Sequence, residues 1–245
     1  DNLGYNWVEK ERLSPNKPGD LKEAFNWKSP HSMKNQYWPT EIPEFKSLAQ
    51  KVLRIAQLLS HEFLYKFENI LNVPRGKLVE QHIDGSSTIR ILHYPPYSGE
   101  IKKDQMRINE HTDYGSITLL WRFDDVPGLQ VFDRGKEEWI DVPMIENSIV
   151  LNVGDMLQRW TNDILKSTPH RVINTEMTRS RYSMPYFVDP GRDVIIDNLT
   201  DQTDKYPPIS ANDYLKWRLA QSYTDNNYIE NEDVADEGGK HITNY

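Results

Sequence analysis

The chain has 245 residues and a formal net charge of −8, which leaves room for one large domain or two small ones and argues against nucleic acid and membrane as partners. It contains no cysteine, so disulfides, thiolate metal sites, iron–sulfur clusters and a cysteine nucleophile are excluded, and any metal must be held by His, Asp or Glu. Hydrophobic residues make up 37% and aromatics 11%, enough for a sizeable core, and no apolar run approaches the ~18 residues of a membrane span.

The chain begins Asp1-Asn2-Leu3 rather than with Met, as a trimmed chain or part of a longer protein would. No targeting segment is visible, so a cytoplasmic monomer is expected. Residues 1–44 are polar and rich in Pro and aromatics, including Trp7, Pro15, Trp27, Pro30 and Trp38. They read as loop and short turns draped over a core.

Phe45 to Leu71 is the clearest helix. Phe45, Leu48, Val52, Ile55, Leu59, Phe63, Phe67 and Ile70 recur at steps of three and four and form one apolar stripe. Pro43 precedes this helix, and Asn72 and Pro74 end it. It reads as a buttress on the outside of a sheet.

From Thr88 the pattern changes to short strands between turn signals: Thr88–His93, Ser116–Trp121, Leu129–Phe132, Trp139–Val142, Ser148–Val153, His170–Asn174, Arg181–Val188 and Val194–Ile196. Asp133-Arg134-Gly135-Lys136 marks a hairpin. Strands at this spacing predict a sandwich or barrel rather than βαβ units. Ser210–Tyr223 reads as a C-terminal helix, with Ser210 as N-cap and Asp213 three residues later. An acidic tail follows from Thr224.

His111 and Asp113 sit two apart, and on an extended strand such residues share a face. An imidazole and a carboxylate side by side make two-thirds of a two-His-one-carboxylate triad, which holds non-haem Fe(II) and leaves positions open. The same pattern also fits a surface strand with two polar residues. Of the other histidines, His61 reads as helix surface, His31, His82 and His241 as exposed loop or tail, and His93 and His170 as strand residues. Arg181 and Ser183 also share a strand face. Together they suit a carboxylate, held bidentate by the guanidinium with one more hydrogen bond from the hydroxyl. A structural salt bridge with an incidental serine is the alternative.

His111-Thr112-Asp113, then His170, then Arg181-Tyr182-Ser183, resembles the Fe(II)- and 2-oxoglutarate-dependent dioxygenases, with the isopenicillin-N-synthase-like branch as the close match. Tyr94-Pro95-Pro96, Gly128-Leu129-Gln130-Val131, Trp139-Ile140-Asp141-Val142-Pro143, Asn152-Val153-Gly154-Asp155, Trp160-Thr161-Asn162 and His170-Arg171-Val172 fall in the family's order. Lys22-Glu23-Ala24-Phe25 is similar to a segment of its N-terminal region.

The resemblance implies a mainly β fold with flanking helices. A double-stranded β-helix (jelly-roll) core at 88–200 would follow an N-terminal loop and helical region at 1–87. A C-terminal helix and tail at 201–245 would complete one structural domain. His111, Asp113 and His170 would bind Fe(II). Arg181 and Ser183 would bind the distal carboxylate of 2-oxoglutarate, and Tyr94 would reach its other end. The family often has Asn where this chain has Leu92, so one co-substrate hydrogen bond is missing or replaced.

The implied activity is oxidation, by hydroxylation, of a C–H bond of a small organic molecule, using O2 and releasing succinate and CO2. No protein general base is required. The alternatives are a 2-oxoglutarate-independent oxidase of the isopenicillin-N-synthase type and a non-catalytic binding module on the same fold. Phe187 shares parity with Arg181 and Ser183 and either faces a planar substrate or fills the core. Leu119 and Trp121 share parity with His111 and Asp113, but Gly115 invites a bulge that would break the alternation. Leu157 and Trp160 are cavity wall or core.

Overall fold

The computed structural model describes residues 3–12, 17–29, 36–83, 85–200 and 205–222. His31, His241, Pro15, Pro30 and the acidic tail lie outside the described residues. Strands β1 (Gly4–Asn6) and β2 (Glu23–Lys28) come first, followed by helix α1 (Phe45–Leu71) and a 3-10 turn at Val79–His82. Six strands then run β3 (Thr88–Tyr94), β4 (Ile108–His111), β5 (Ile117–Arg122), β6 (Leu129–Asp133), β7 (Glu138–Asp141) and β8 (Val150–Val153). Helix α2 (Asp155–Trp160), β9 (His170–Val172), β10 (Arg181–Val188), β11 (Ile195–Ile196), β12 (Ile209–Ser210) and helix α3 (Ala211–Ser222) complete the order.

Among these elements the strands form a six-stranded sheet, β1-β2-β3-β10-β5-β8, a four-stranded sheet, β4-β9-β6-β7, and the small pair β11-β12. All pairings are antiparallel. Ala24, Leu92 and Tyr94 from the large sheet pack with Ile108, Leu129 and Val172 from the small one. The two sheets therefore face each other across a shared interior, as in a jelly roll. The opposite face of the large sheet, carrying Trp27, Ile89, Leu119, Tyr186 and Val188, packs on α1.

Residues 1–44 depart from the expected loop and turns. β1 and β2 extend the large sheet, with Tyr5 opposite Phe25 and Ala24 opposite Leu92. In β2, Ala24 faces the interior, whereas Phe25 and Trp27 pack toward α1. This alternation is a strand signal that the surrounding Pro and polar residues obscured.

The helix 45–71 is as expected in extent, and Asn72 closes it in a left-handed conformation at φ 55°. Its buried face is turned from the expected stripe. Ala49, Leu53, Ala56, Ser60, Leu64 and Glu68 are buried, while Leu48, Ile55 and Ile70 are exposed. The small residues let the helix backbone close on the sheet, so size outweighs hydrophobicity in setting the contact line. His82 also departs from the expected exposure. It is 2% exposed and bonded to the Leu78 carbonyl (2.7 Å) and the Ser116 hydroxyl (2.8 Å).

Candidate active site

β4 delivers His111 to the end of the small sheet, directly opposite His170 on β9. Their rings lie 4.2 Å apart between centroids. Asp113 follows just past β4, where the chain leaves the small sheet to enter β5 of the large one. Gly115 and Gly154 permit this crossing. A Cβ at Gly115 would collide with the Asp189 side chain, and one at Gly154 with the Gly115 carbonyl.

One ligand atom from each of His111, Asp113 and His170 lies within 4.8 Å of the others. Asp113 Oδ1 is 3.9 Å from His111 Nε2 and 3.6 Å from His170 Nε2. The far ring nitrogens are held by backbone carbonyls: His111 Nδ1 donates to Asn109 O (2.8 Å) and His170 Nδ1 to Thr168 O (3.0 Å). That choice of tautomer leaves both Nε2 lone pairs facing the centre. Asn152 Nδ2 donates to Asp113 Oδ2 at 2.9 Å, and the Thr118 hydroxyl bonds the same carboxylate. Asp113 Oδ1 is thereby presented inward.

Burial, with His170 as the next cause, pushes His111 down to about 3. Burial alone would raise Asp113, but His170, His111 and the hydrogen bonds from Thr118 and Asn152 outweigh it, and the group is lowered. The trio thus offers a neutral imidazole at His111, the imidazole of His170 with its Nε2 turned inward, and a carboxylate. This donor set fits Fe(II) with open positions, and no closed four-ligand zinc site forms among the described residues.

Across the interior, β10 carries Arg181 (2% exposed) and Ser183 (1% exposed) on one face. Tyr94 pairs with Arg181 on the neighbouring strand. Its hydroxyl lies 3.5 Å from Ser183 Oγ, and the Arg181 guanidinium carbon lies 4.7 Å from its ring centre. Tyr94 therefore stands beside Arg181 and Ser183. Arg181 Nη1 is buried without a hydrogen-bond partner. An unpaired buried guanidinium N–H is costly, and a carboxylate fits the demand.

Phe187, half-buried on the same face, pairs with Thr118 and so lies level with the residues that hold Asp113. Leu92 faces the interior in the apolar cluster with Tyr94. His93 points away, bonded to Glu23 and Ser180 and stacked on Tyr182. Leu119 and Trp121 face the helix layer rather than the cavity, because the crossing between sheets at 112–116 resets strand parity. Leu157 and Trp160 are core. The sequence reasoning missed Asn152 and Thr118 as partners of Asp113, although Asn152 stood in a motif already noted. Arg107, buried four residues before His111, gave no pattern signal.

Residues 85–190 match the 2OG-Fe(II) oxygenase superfamily. The chain is 31% identical over 243 residues to the 2-oxoglutarate-Fe(II) type oxidoreductase hxnY of Emericella nidulans, a match covering 91% of this chain and 69% of that protein. It is 33% identical over 241 residues to the proline hydroxylase buaE of Petromyces alliaceus, covering 90% of this chain and 75% of that protein. Among solved structures, a full-length Neurospora crassa protein in complex with alpha-KG superposes with a TM-score of 0.79 at 32% identity, over 89% of this chain and 75% of that one. The same Neurospora protein has also been solved with alpha-KG and thymine (TM-score 0.77, 32% identity, 89% and 74% covered). With this fold and this trio of donors, the chain belongs to the 2OG-Fe(II) oxygenase superfamily and is an oxidoreductase that uses Fe(II), 2-oxoglutarate and O2.

Proposed function

We propose that the protein hydroxylates a C–H bond of a small, planar organic molecule, as a member of the isopenicillin-N-synthase-like branch. His111, Asp113 and His170 hold the iron. Arg181, Ser183 and the Tyr94 hydroxyl receive the distal carboxylate of 2-oxoglutarate. The substrate stands over Phe187. The observation that carries the reading is the buried Arg181 guanidinium, with Nη1 unpaired, on the strand whose other end lies level with the metal-holding residues.

When bound, Fe(II) with 2-oxoglutarate and O2 supplies the oxidant for C–H cleavage, with succinate and CO2 as products. The chain's own residues position and shield. Asn152 and Thr118 fix the Asp113 carboxylate, Asn109 and Thr168 fix the imidazoles, and the apolar Leu92 and Leu120 keep the wall between the two ends dry. No side chain is assigned as general base. Thymine in the related Neurospora crassa structure supports a nucleobase-sized ring as the first substrate class to try.

The test is succinate release, measured with Fe(II), 2-oxoglutarate and a panel of pyrimidines and other small rings. Succinate formed in step with hydroxylated product is expected. Substrate oxidation without succinate would instead put the substrate's own carboxylate on Arg181 and Ser183, as in a 2-oxoglutarate-independent oxidase.

A further inference from the structure

Arg107 is 1% exposed and immediately precedes β4. Its Nη2 donates to the carbonyls of Glu176 (2.7 Å) and Arg179 (3.2 Å), and its Nε meets Met177 Sδ at 3.4 Å. These contacts tie down the connection from β9 to β10, which leads directly into Arg181. The Arg107 guanidinium carbon also lies 5.9 Å from the Tyr94 ring centre, and that of Arg181 lies 4.7 Å from the same ring.

Two cations therefore share one buried aromatic ring, and Nη1 of each has no hydrogen-bond partner. Burial, and then Arg181, push Arg107 below its ordinary value. Two neighbouring buried cations repel, and a single anion between or beside them relieves both. Arg122, the third guanidinium of this region, differs: its Nη1 donates to the carbonyls of Val142 and Pro143, both at 3.0 Å. Arg107, unlike Arg122, shares with Arg181 both a close approach to Tyr94 and an unfilled donor.

We infer that Arg107 is a positioning residue for the co-substrate, a second cation that favours the distal carboxylate of 2-oxoglutarate through Tyr94 and Arg181. The inference rests on the placement of that carboxylate proposed above. Its charge strengthens the pocket's field, and its grip on residues 176–179 sets the entry of β10.

The test uses protein loaded with Mn(II) in place of Fe(II), titrated calorimetrically with 2-oxoglutarate and with 2-oxobutanoate, which lacks the distal carboxylate. Arg107→Met should weaken 2-oxoglutarate binding about tenfold and leave 2-oxobutanoate binding within about twofold, as expected for one lost charge–charge contact in a buried site. Mn(II) affinity should not change, and Arg107→Lys should restore most of the loss. If Arg107→Met does not fold, the same comparison of the two ligands is made with Arg107→Lys, whose smaller loss should still fall on 2-oxoglutarate alone. Equal weakening of both ligands, or unchanged 2-oxoglutarate binding, would overturn the inference. Arg181→Met run alongside separates the two levels: unchanged 2-oxoglutarate binding there would fault the carboxylate placement itself.

Discussion

As the ligand proposed above, Asp113 would owe much of its quality to residues that do not bind the metal. Its carboxylate is aimed by Asn152 at 2.9 Å and by Thr118, on adjacent strands of the large sheet. Asn152→Ala leaves Oδ2 with one partner fewer and frees the carboxylate to rotate. Fe(II) or Mn(II) affinity should fall roughly 10–100-fold with the fold retained, the usual cost of losing such an orienting group. Metal titration followed by circular dichroism of the same sample checks this, and an unchanged affinity would sink it. At this scale the trio was readable from sequence because each residue's type carries its chemistry. The shared buried face of Arg181 and Ser183 was readable because β10 runs straight through both. Arg107 was not, because an arginine's role here depends on which ring and which carbonyls it meets, and these lie up to 72 residues away in sequence.

The helices hold the site from outside. α3 reaches the metal-bearing loop through Arg218, whose Nη2 lies 2.9 Å from Asp155 Oδ2 and donates to the Thr112 hydroxyl at 3.1 Å. Asp155 is fully buried, and its own N–H bonds the Asp113 carbonyl at 2.8 Å. Arg218→Met would strand a buried carboxylate beside the ligand loop. A destabilisation of about 3–5 kcal/mol is expected in urea unfolding of the metal-free protein, and a loss under ~1 kcal/mol would contradict the clasp.

α1 makes a comparable point with Glu68, buried in a helix yet accepting from the backbone N–H groups of Gly76 (2.8 Å), Leu78 (2.7 Å) and Val79 (3.0 Å). Glu68→Ala leaves three buried donors unpaired, so the turn leading into β3 should loosen, and amide exchange at Leu78 and Val79 should rise while that of β10 is unchanged. Periodicity alone located α1 but misjudged its phase, since Ala49, Ala56, Ser60 and Glu68 carry little apolar signal. α3 was legible through its cap: Ser210 Oγ accepts from the Asp213 N–H at 3.1 Å. Parity could not place Trp121, because it holds only within one strand and the chain changes sheets between His111 and Ile117.

At the scale of the whole molecule, the helix layer, the large sheet and the metal loop meet at His82. Its ring bridges Leu78 and Ser116 and lies 5.9 Å from the Trp160 ring. Among the described residues no helix is long and apolar enough to cross a membrane. Burial pushes His82 down to about 4, so the folded state keeps it neutral. The unfolded chain takes up a proton near pH 6.5. As pH falls from 6.5 to 4, the unfolded state gains the proton first and the stability from His82 is lost. The loss is on the order of 3 kcal/mol and is complete below pH 4.

Other groups oppose this trend. Asp20 and Asp189, each pushed up to about 6 by burial, hold protons more tightly when folded and add stability over part of the same range. The wild-type curve mixes these contributions and can be nearly flat. The difference between wild type and His82→Gln does not, because both proteins carry Asp20, Asp189 and the metal trio. Urea unfolding of the two metal-free proteins should give a stability gap that narrows by on the order of 3 kcal/mol between pH 7 and pH 4. Gln keeps a donor and an acceptor but cannot titrate, so parallel curves would mean that His82 does not couple the helix layer to the metal loop through its neutral form.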